Sequence, residues 1–190
     1  MMAGNWGNKG ELPPQLAVPY VPLRVFTCFT MLEGAIEPKV LPKLARKAGF
    51  PAVAIADRNG LYAAMNFSDA AKKAGIQPII GTMLCVARPN APVERLDWLA
   101  LLAQDEQGYD NLCFLVSMAH LERPLHLDPH VLFSALEGRT EGLIALTGGA
   151  EGALARLFAE GQVEPAFAYA DRLQALFGDT GGFFLLAQQE

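Results

Sequence analysis

The sequence predicts an α/β fold, and three observations carry that prediction. Apolar runs of strand length recur along the chain, separated by stretches whose apolar residues repeat with helical spacing. Glycines such as Gly49 and Gly75 stand where those helical stretches should stop. At 190 residues and 52% hydrophobic content, the chain can bury one well-packed domain.

The strand-length runs are residues 22–27, 52–56, 78–87, 98–103, 143–147 and 183–187. Between the first two, Val40, Leu44, Ala45 and Ala48 share one helical face that closes at Gly49. Pro42 must then sit in the first turn, where its missing N–H costs no intrahelical bond. Leu61, Ala64, Met65 and Ala71 form the next helix, ending at Gly75. Tyr109, Leu112, Cys113 and Val116 follow the i, i+3, i+4, i+7 pattern after an acidic start at Asp105 and Glu106, which marks the third helix. Residues 122–129 are polar and proline-bearing and read as an exposed connection before a short helix at 131–136. Two further helices fit residues 151–160 and 164–177, and the last apolar run stops close to the end of the chain, which predicts a piece of a longer protein. Strand and helix in alternation imply parallel strands joined by right-handed crossovers, in an open doubly wound sheet or a closed barrel. No Gly-x-Gly-x-x-Gly follows the first strand to favour a dinucleotide-binding sheet.

Composition narrows the function classes. Fifteen Lys and Arg stand against 20 Asp and Glu, a net charge of −5, with no basic run to track a phosphate backbone. Direct DNA binding by this stretch is therefore not expected. Cys28, Cys85 and Cys113 are too scattered for a disulfide framework or a Cys-x-x-Cys metal site, which fits a reducing cytoplasm. Residues 1–19, rich in Gly, Asn and Pro, read as a disordered leader without signal-peptide character, ahead of one domain over 20–190. No run approaches the roughly 18 apolar residues of a membrane span, so a soluble protein is expected.

Four blocks carry a family resemblance. They are Val21-Pro-Leu-Arg-Val-Phe-Thr, Met31-Leu-Glu-Gly-Ala, Ala54-Ile-Ala-Asp-Arg-Asn-Gly-Leu-Tyr and Ala71-Lys-Lys-Ala-Gly-Ile-Gln-Pro-Ile-Ile-Gly-Thr. With Gly108-Tyr-Asp-Asn-Leu and Gly142-Leu-Ile-Ala-Leu-Thr-Gly-Gly, they resemble the PHP (polymerase and histidinol phosphatase) family, in the branch found at the N-terminus of bacterial DNA polymerase III alpha subunits. The resemblance implies a distorted (βα)7 barrel, truncated at the C-terminus, whose site lies at the C-terminal ends of the strands. That rim would comprise Phe26, Thr27, Asp57, Arg58, Met83, Gln104, Asp105 and Thr147.

Set against the family pattern, the metal-binding positions are degenerate. Pro22, Arg24 and Phe26 stand in place of alternating histidines, Asp57 followed by Arg58 in place of an Asp-His pair, and Met83 in place of a Glu. Trp98 stands in place of a histidine that opens a later strand, and Leu186 in place of the acid of a Tyr-Leu-Glu-Leu-Gln motif. A guanidinium has no lone pair to donate and repels a nearby cation, while Phe26, Met83 and Leu186 favour a dry, packed interior. The resemblance thus implies an alpha-subunit domain that holds no cofactor and catalyses nothing. Its role would be to support the polymerase and dock the proofreading exonuclease subunit among the other holoenzyme subunits. Magnesium, DNA and polymerisation would belong to a palm domain elsewhere in the parent protein. The alternative is a residual or rearranged site with metal-dependent phosphoesterase or 3′-5′ exonuclease activity. A stand-alone small-molecule phosphatase conflicts with the polymerase-branch blocks.

Several residues carry two readings. Asp57 is a surviving catalytic carboxylate or, preferred here, a cap for the following helix or an ion-pair partner of Arg58. His120, His126 and His130 read as surface residues rather than ligands, and Cys28 and Cys85 as buried, inert thiols. Thr147-Gly148-Gly149 reads as a tight turn before it reads as a phosphate cradle, and Arg24 with Arg58 as acid partners before an anion pocket.

Overall fold

The structure, a computed structural model, describes residues 20–91, 95–178, 183 and 184. The expected leader at 1–19, and Leu186, lie outside the described residues. Strand β1 (Ala52–Arg58) alternates small and branched side chains that serve two layers at once. It pairs in parallel with β2 (Gln77–Ala87), Ala52 opposite Gln77 and Arg58 opposite Met83. The sheet continues through β3 (Leu96–Ala103) and β5 (Leu143–Leu146) to β6 (Phe183–Phe184), while the two-residue β4 (Val131–Leu132) extends the free edge of β2.

The expectation of parallel strands throughout fails at β3. It runs antiparallel to both β2 and β5, because only the short link 88–95 joins β2 to β3. A parallel return needs a crossover of a dozen or more residues, and a link this short permits only a hairpin. Residues 22–27 also form no regular strand. The segment runs beside β1, with the Ala54 N–H donating to the Pro22 carbonyl and the Ala56 N–H to the Val25 carbonyl. Three residues along the segment thus face two along β1, and Pro22 has no N–H to give, so the ladder cannot propagate.

The expected helices are present with shifted ends: α1 (Leu41–Lys47), α2 (Ala64–Ala74), α3 (Glu106–Leu121), α4 (Ala153–Ala159) and α5 (Val163–Phe177). Pro42 falls in the first turn of α1. The expected helix at 131–136 divides into β4 and one 3₁₀ turn at Phe133–Leu136. Asp105 is the N-cap of α3 and accepts from the Gly108 N–H at 2.8 Å. The Gly-Tyr-x-Asn-Leu block turns out to be a clamp between α3 and the loop before β5. A Cβ on Gly108 would come within 1.9 Å of the Gly142 carbonyl oxygen, and Asn111 Nδ2 donates to the Glu141 carbonyl at 2.9 Å.

Side-chain alternation gives the sheet two buried faces. Val53 and Ile55 pack with Phe67 and Ala71 under α1 and α2, while Leu84, Leu99 and Leu101 pack with Leu112 and Leu115 under α3. The opposite, inner face carries Ala54, Ala56, Met83, Ala100, Leu102 and Leu146. The sheet curls around this face until Leu23, beside β1, and Ile144, on β5, line one cavity of about 890 Å³.

Candidate functional site

The alternation that sorts the core also sorts the site. Asp57 follows Val53 and Ile55 on the outer face, whereas Arg58 follows Ala54 and Ala56 toward the inside of the curl. Asp57 is buried and accepts three hydrogen bonds of 2.7 Å each, from the Thr27 N–H, Thr27 Oγ1 and Thr30 Oγ1. It therefore does not cap α2, whose N-cap is Ala63 without a side-chain bond, and it makes no ion pair with Arg58. Its work is to pin the Thr27–Thr30 turn onto the end of β1.

Arg58 occupies the mouth of the curl. Its Nη2 meets Glu33 Oε2 at 2.6 Å and Glu151 Oε1 at 2.9 Å, and its Nε donates to Glu33 Oε1 at 2.9 Å. The guanidinium carbon lies 4.3 Å from the Trp98 ring centroid and 5.2 Å from that of Phe26. Burial pulls the pKa of this group down, but hydrogen bonds and attraction from the two carboxylates outweigh it, and the net shift is upward. Arg58 Nη1, buried and without a hydrogen-bond partner among the described residues, is left among these rings.

The other expected positions divide. Trp98 sits at the mouth because β3 runs backwards, opposite Cys85 near the top of β2. For the same reason Gln104 and Asp105, expected on this rim, lie at the far end of the sheet, where Gln104 bonds to the Gly142 carbonyl. Met83 is fully buried on the inner face with Phe26 packed against it, so the mouth end is core. The far end is not, since the cavity there is walled by Ile79, Leu102, Ile144 and Leu146. Pro22 lends its carbonyl to β1, and Arg24, exposed, donates to the Gly148 carbonyl at 3.0 Å. Arg24 and Arg58 are thus each engaged by protein oxygens. A Cβ on Gly148 would strike the Trp98 carbonyl at 2.0 Å, which explains a glycine at φ 78° in this tight turn.

Two surface assignments are corrected. His130 is buried, with Nδ1 on the Asp128 carbonyl, because β4 draws its neighbour into the sheet edge. His120, exposed as expected, nevertheless reaches the rim, its Nε2 at 2.8 Å from the Asn59 carbonyl. Cys28 is exposed, because the turn after Thr27 leaves the sheet. Cys85 is buried as expected, and burial, then the charges of Asp128 and Asp97, push its thiol up to about 12.

With this geometry in hand, comparison with known families is decisive. A family model described as PHP domain matches residues 22–187. The chain belongs to the PHP domain family. Over 166 residues it is 41% identical to a DNA polymerase III subunit alpha of Caulobacter vibrioides, an alignment covering 84% of this chain and 14% of that protein. It is also 41% identical over 149 residues to an error-prone DNA polymerase of Anaeromyxobacter sp. (strain K), covering 73% of this chain and 13% of that one. This PHP domain thus spans about 14% of the length of the first of these curated relatives. A solved metal-dependent phosphoesterase from Bifidobacterium adolescentis overlaps 94% of this chain and 60% of its own, loosely, with a TM-score of 0.42 and 18% identity.

Both Asp57 oxygens already accept protein donors, and Arg58, on the other face of β1, places a fixed positive charge at the mouth. Among the described residues, no three His, Cys, Asp or Glu side chains converge so as to hold an ion.

Asp57 and Arg58 together form a second clamp, at the mouth, and sequence reasoning missed the residues that complete it: Glu33, Thr30, Glu151 and Asn59. Asn59 is buried at φ 45°, donates to the Pro129 carbonyl and accepts from the Cys85 N–H, tying three segments together. Its signal was the Asp-Arg-Asn-Gly turn, since Asn tolerates the left-handed region. Glu33 and Glu151, far apart in sequence, carried none. The clamp makes a measurable demand: Arg58→Ala should cost about 2 kcal/mol in urea unfolding, through lost ring contacts and ion pairs. Arg58→Met, which keeps the apolar contact with Trp98, should cost about half of that.

Proposed function

We propose that this chain is the catalytically silent N-terminal PHP domain of a bacterial DNA polymerase III alpha subunit. In it, a guanidinium held by two carboxylates does the structural work that a metal cluster would do at the mouth. The observation that carries this reading is the place of Arg58: a permanent cation between Glu33 and Glu151, stacked on Trp98 and Phe26. The polymerase blocks and the identity to an alpha subunit over most of the chain support the parent protein. Strands beyond those described would close the curled sheet into the family's seven-stranded barrel. DNA and magnesium-dependent polymerisation belong to the rest of the parent protein, which suits a domain of net charge −5. The domain's own part is to support the polymerase fold and dock the proofreading exonuclease subunit in the cytoplasmic holoenzyme.

The test is hydrolysis and association. Incubation with bis(p-nitrophenyl) phosphate, and with a 3′-labelled single strand, in added manganese or zinc should give no turnover above the metal alone. Turnover that disappears in Asp57→Asn would overturn the silent reading. Mixing with the cognate exonuclease subunit should give a co-migrating complex in gel filtration; two separate peaks would overturn the docking reading.

A further inference from the structure

The loop that leaves Thr27 carries its apolar side chains outward. Met31 is 82% exposed and Leu32 fully exposed, and the Phe29 and Tyr62 rings lie 6.2 Å apart, both also open to solvent. Leu32 has φ 71°, a conformation that costs energy for a residue with a Cβ. A strained, fully exposed leucine contributes nothing to the core, so its conformation is held from elsewhere.

What holds it is the clamp. Asp57 binds Thr27 and Thr30 from below, Arg58 binds Glu33, and the N–H groups of Glu33 and Gly34 both donate to the Thr30 carbonyl. A Cβ on Gly34 would meet the Thr27 carbonyl oxygen at 1.9 Å, so the loop base is closed as well. Thr27, Thr30 and Asp57, which fix the loop, are buried and Arg58 is charge-paired with Glu33, whereas the residues the loop presents are bare. Such an arrangement lowers the ordering cost of binding, as preformed docking loops do.

We infer that the Phe29–Met31–Leu32 knuckle, with Tyr62 beside it, is a preformed docking surface for a protein partner that offers an apolar groove edged by basic side chains. This rests on the docking reading above and gives it a place on the surface. Charge selects the occupant. Arg58 is shared by two carboxylates, Glu33 and Glu151, which keep 44% and 40% of their side-chain exposure, so the base of the knuckle carries net negative charge. A second copy related by a twofold axis would bring Glu33 toward its own equivalent, whereas Lys or Arg on a different protein would complement it.

The experiment titrates the exonuclease subunit into the wild-type chain and into a Met31→Ser, Leu32→Asn double variant. Asn tolerates the left-handed backbone, so the loop keeps its shape. The inference expects wild-type binding, at least about tenfold weaker binding by the variant, and unchanged thermal unfolding. As a check that needs no variant, iodoacetamide labelling of exposed Cys28 should slow in the saturated wild-type complex, with buried Cys85 inert throughout. Equal binding by both proteins, or Cys28 labelling at its free rate in the complex, overturns the knuckle while leaving docking intact. No binding by the wild type overturns both. Sedimentation showing a wild-type dimer that the variant lacks would also overturn the inference, by assigning the surface to a second copy.

Discussion

Replacing Asp97 with alanine should lower the unfolding free energy by about 3 to 5 kcal/mol, the largest single effect expected in this chain. Asp97 lies buried at the start of β3 and holds Arg88 by two hydrogen bonds, Nε to Oδ2 at 2.8 Å and Nη2 to Oδ1 at 3.1 Å. Arg156 of α4 reaches the same Oδ1 at 3.1 Å. The Arg88 side chain is only 7% exposed, and the hydrogen bonds to Asp97 are the main cause of its raised pKa. Without the carboxylate, the buried guanidinium keeps Glu160 alone as a partner among the described residues, at 3.1 Å. The cost comes from stripping that buried charge of its two shared hydrogen bonds to Asp97, so removing both partners in Arg88→Met, Asp97→Leu should cost less than Asp97→Ala alone. Urea unfolding of the wild type and the two variants measures this, and an equal or larger loss in the double variant would show the pair to be net stabilising.

The second large effect is at Asp57. Asp57→Ala strands a backbone N–H and two hydroxyls in a buried turn, and should cost about 3 kcal/mol. For a chain of this size that is a fall of about 6 to 12 °C in Tm, measurable by calorimetry. Asp57→Asn keeps one acceptor and should cost less. Because the same bonds hold the knuckle, hydrogen exchange over residues 27–34 should speed up in Asp57→Ala more than global destabilisation accounts for.

Much of this fold is written in local pattern. That α1, α2 and α3 are helices is legible because apolar spacing, Pro42 in a first turn and Gly75 at a C-terminus are short-range signals. Their buried faces are read less well: Val40, Leu44 and Ala48 are exposed while Leu41 and Ala45 are buried, and in α3 Leu112, Leu115 and Ala119 are buried rather than Tyr109, Cys113 and Val116. The direction of β3 is not, although the short link from β2 hinted at a hairpin. Reading every strand as parallel sent Gln104 and Asp105 to the wrong end of the sheet. The positions of the clamp show the same division. Arg58 and Trp98 stood out because the family resemblance sets each at an expected ligand position, and the structure brings them together at 4.3 Å. Glu33 and Glu151 had no motif to mark them, since an ion pair spanning 93 residues leaves no trace in spacing. Asp57 was singled out for its chemistry and given the wrong partner. The turn that uses it closes through Thr27 and Thr30, and hydroxyls in an apparent strand gave no notice of that.

The central claim is that a guanidinium holds the mouth where an ion would otherwise sit. Calorimetric titration of the metal-free chain with zinc and with manganese, read together with elemental analysis after dialysis, tests it most directly. The account predicts no saturable heat at the mouth and only traces of metal retained. Retention of one or more ions per chain, lost in Asp57→Asn, would contradict it.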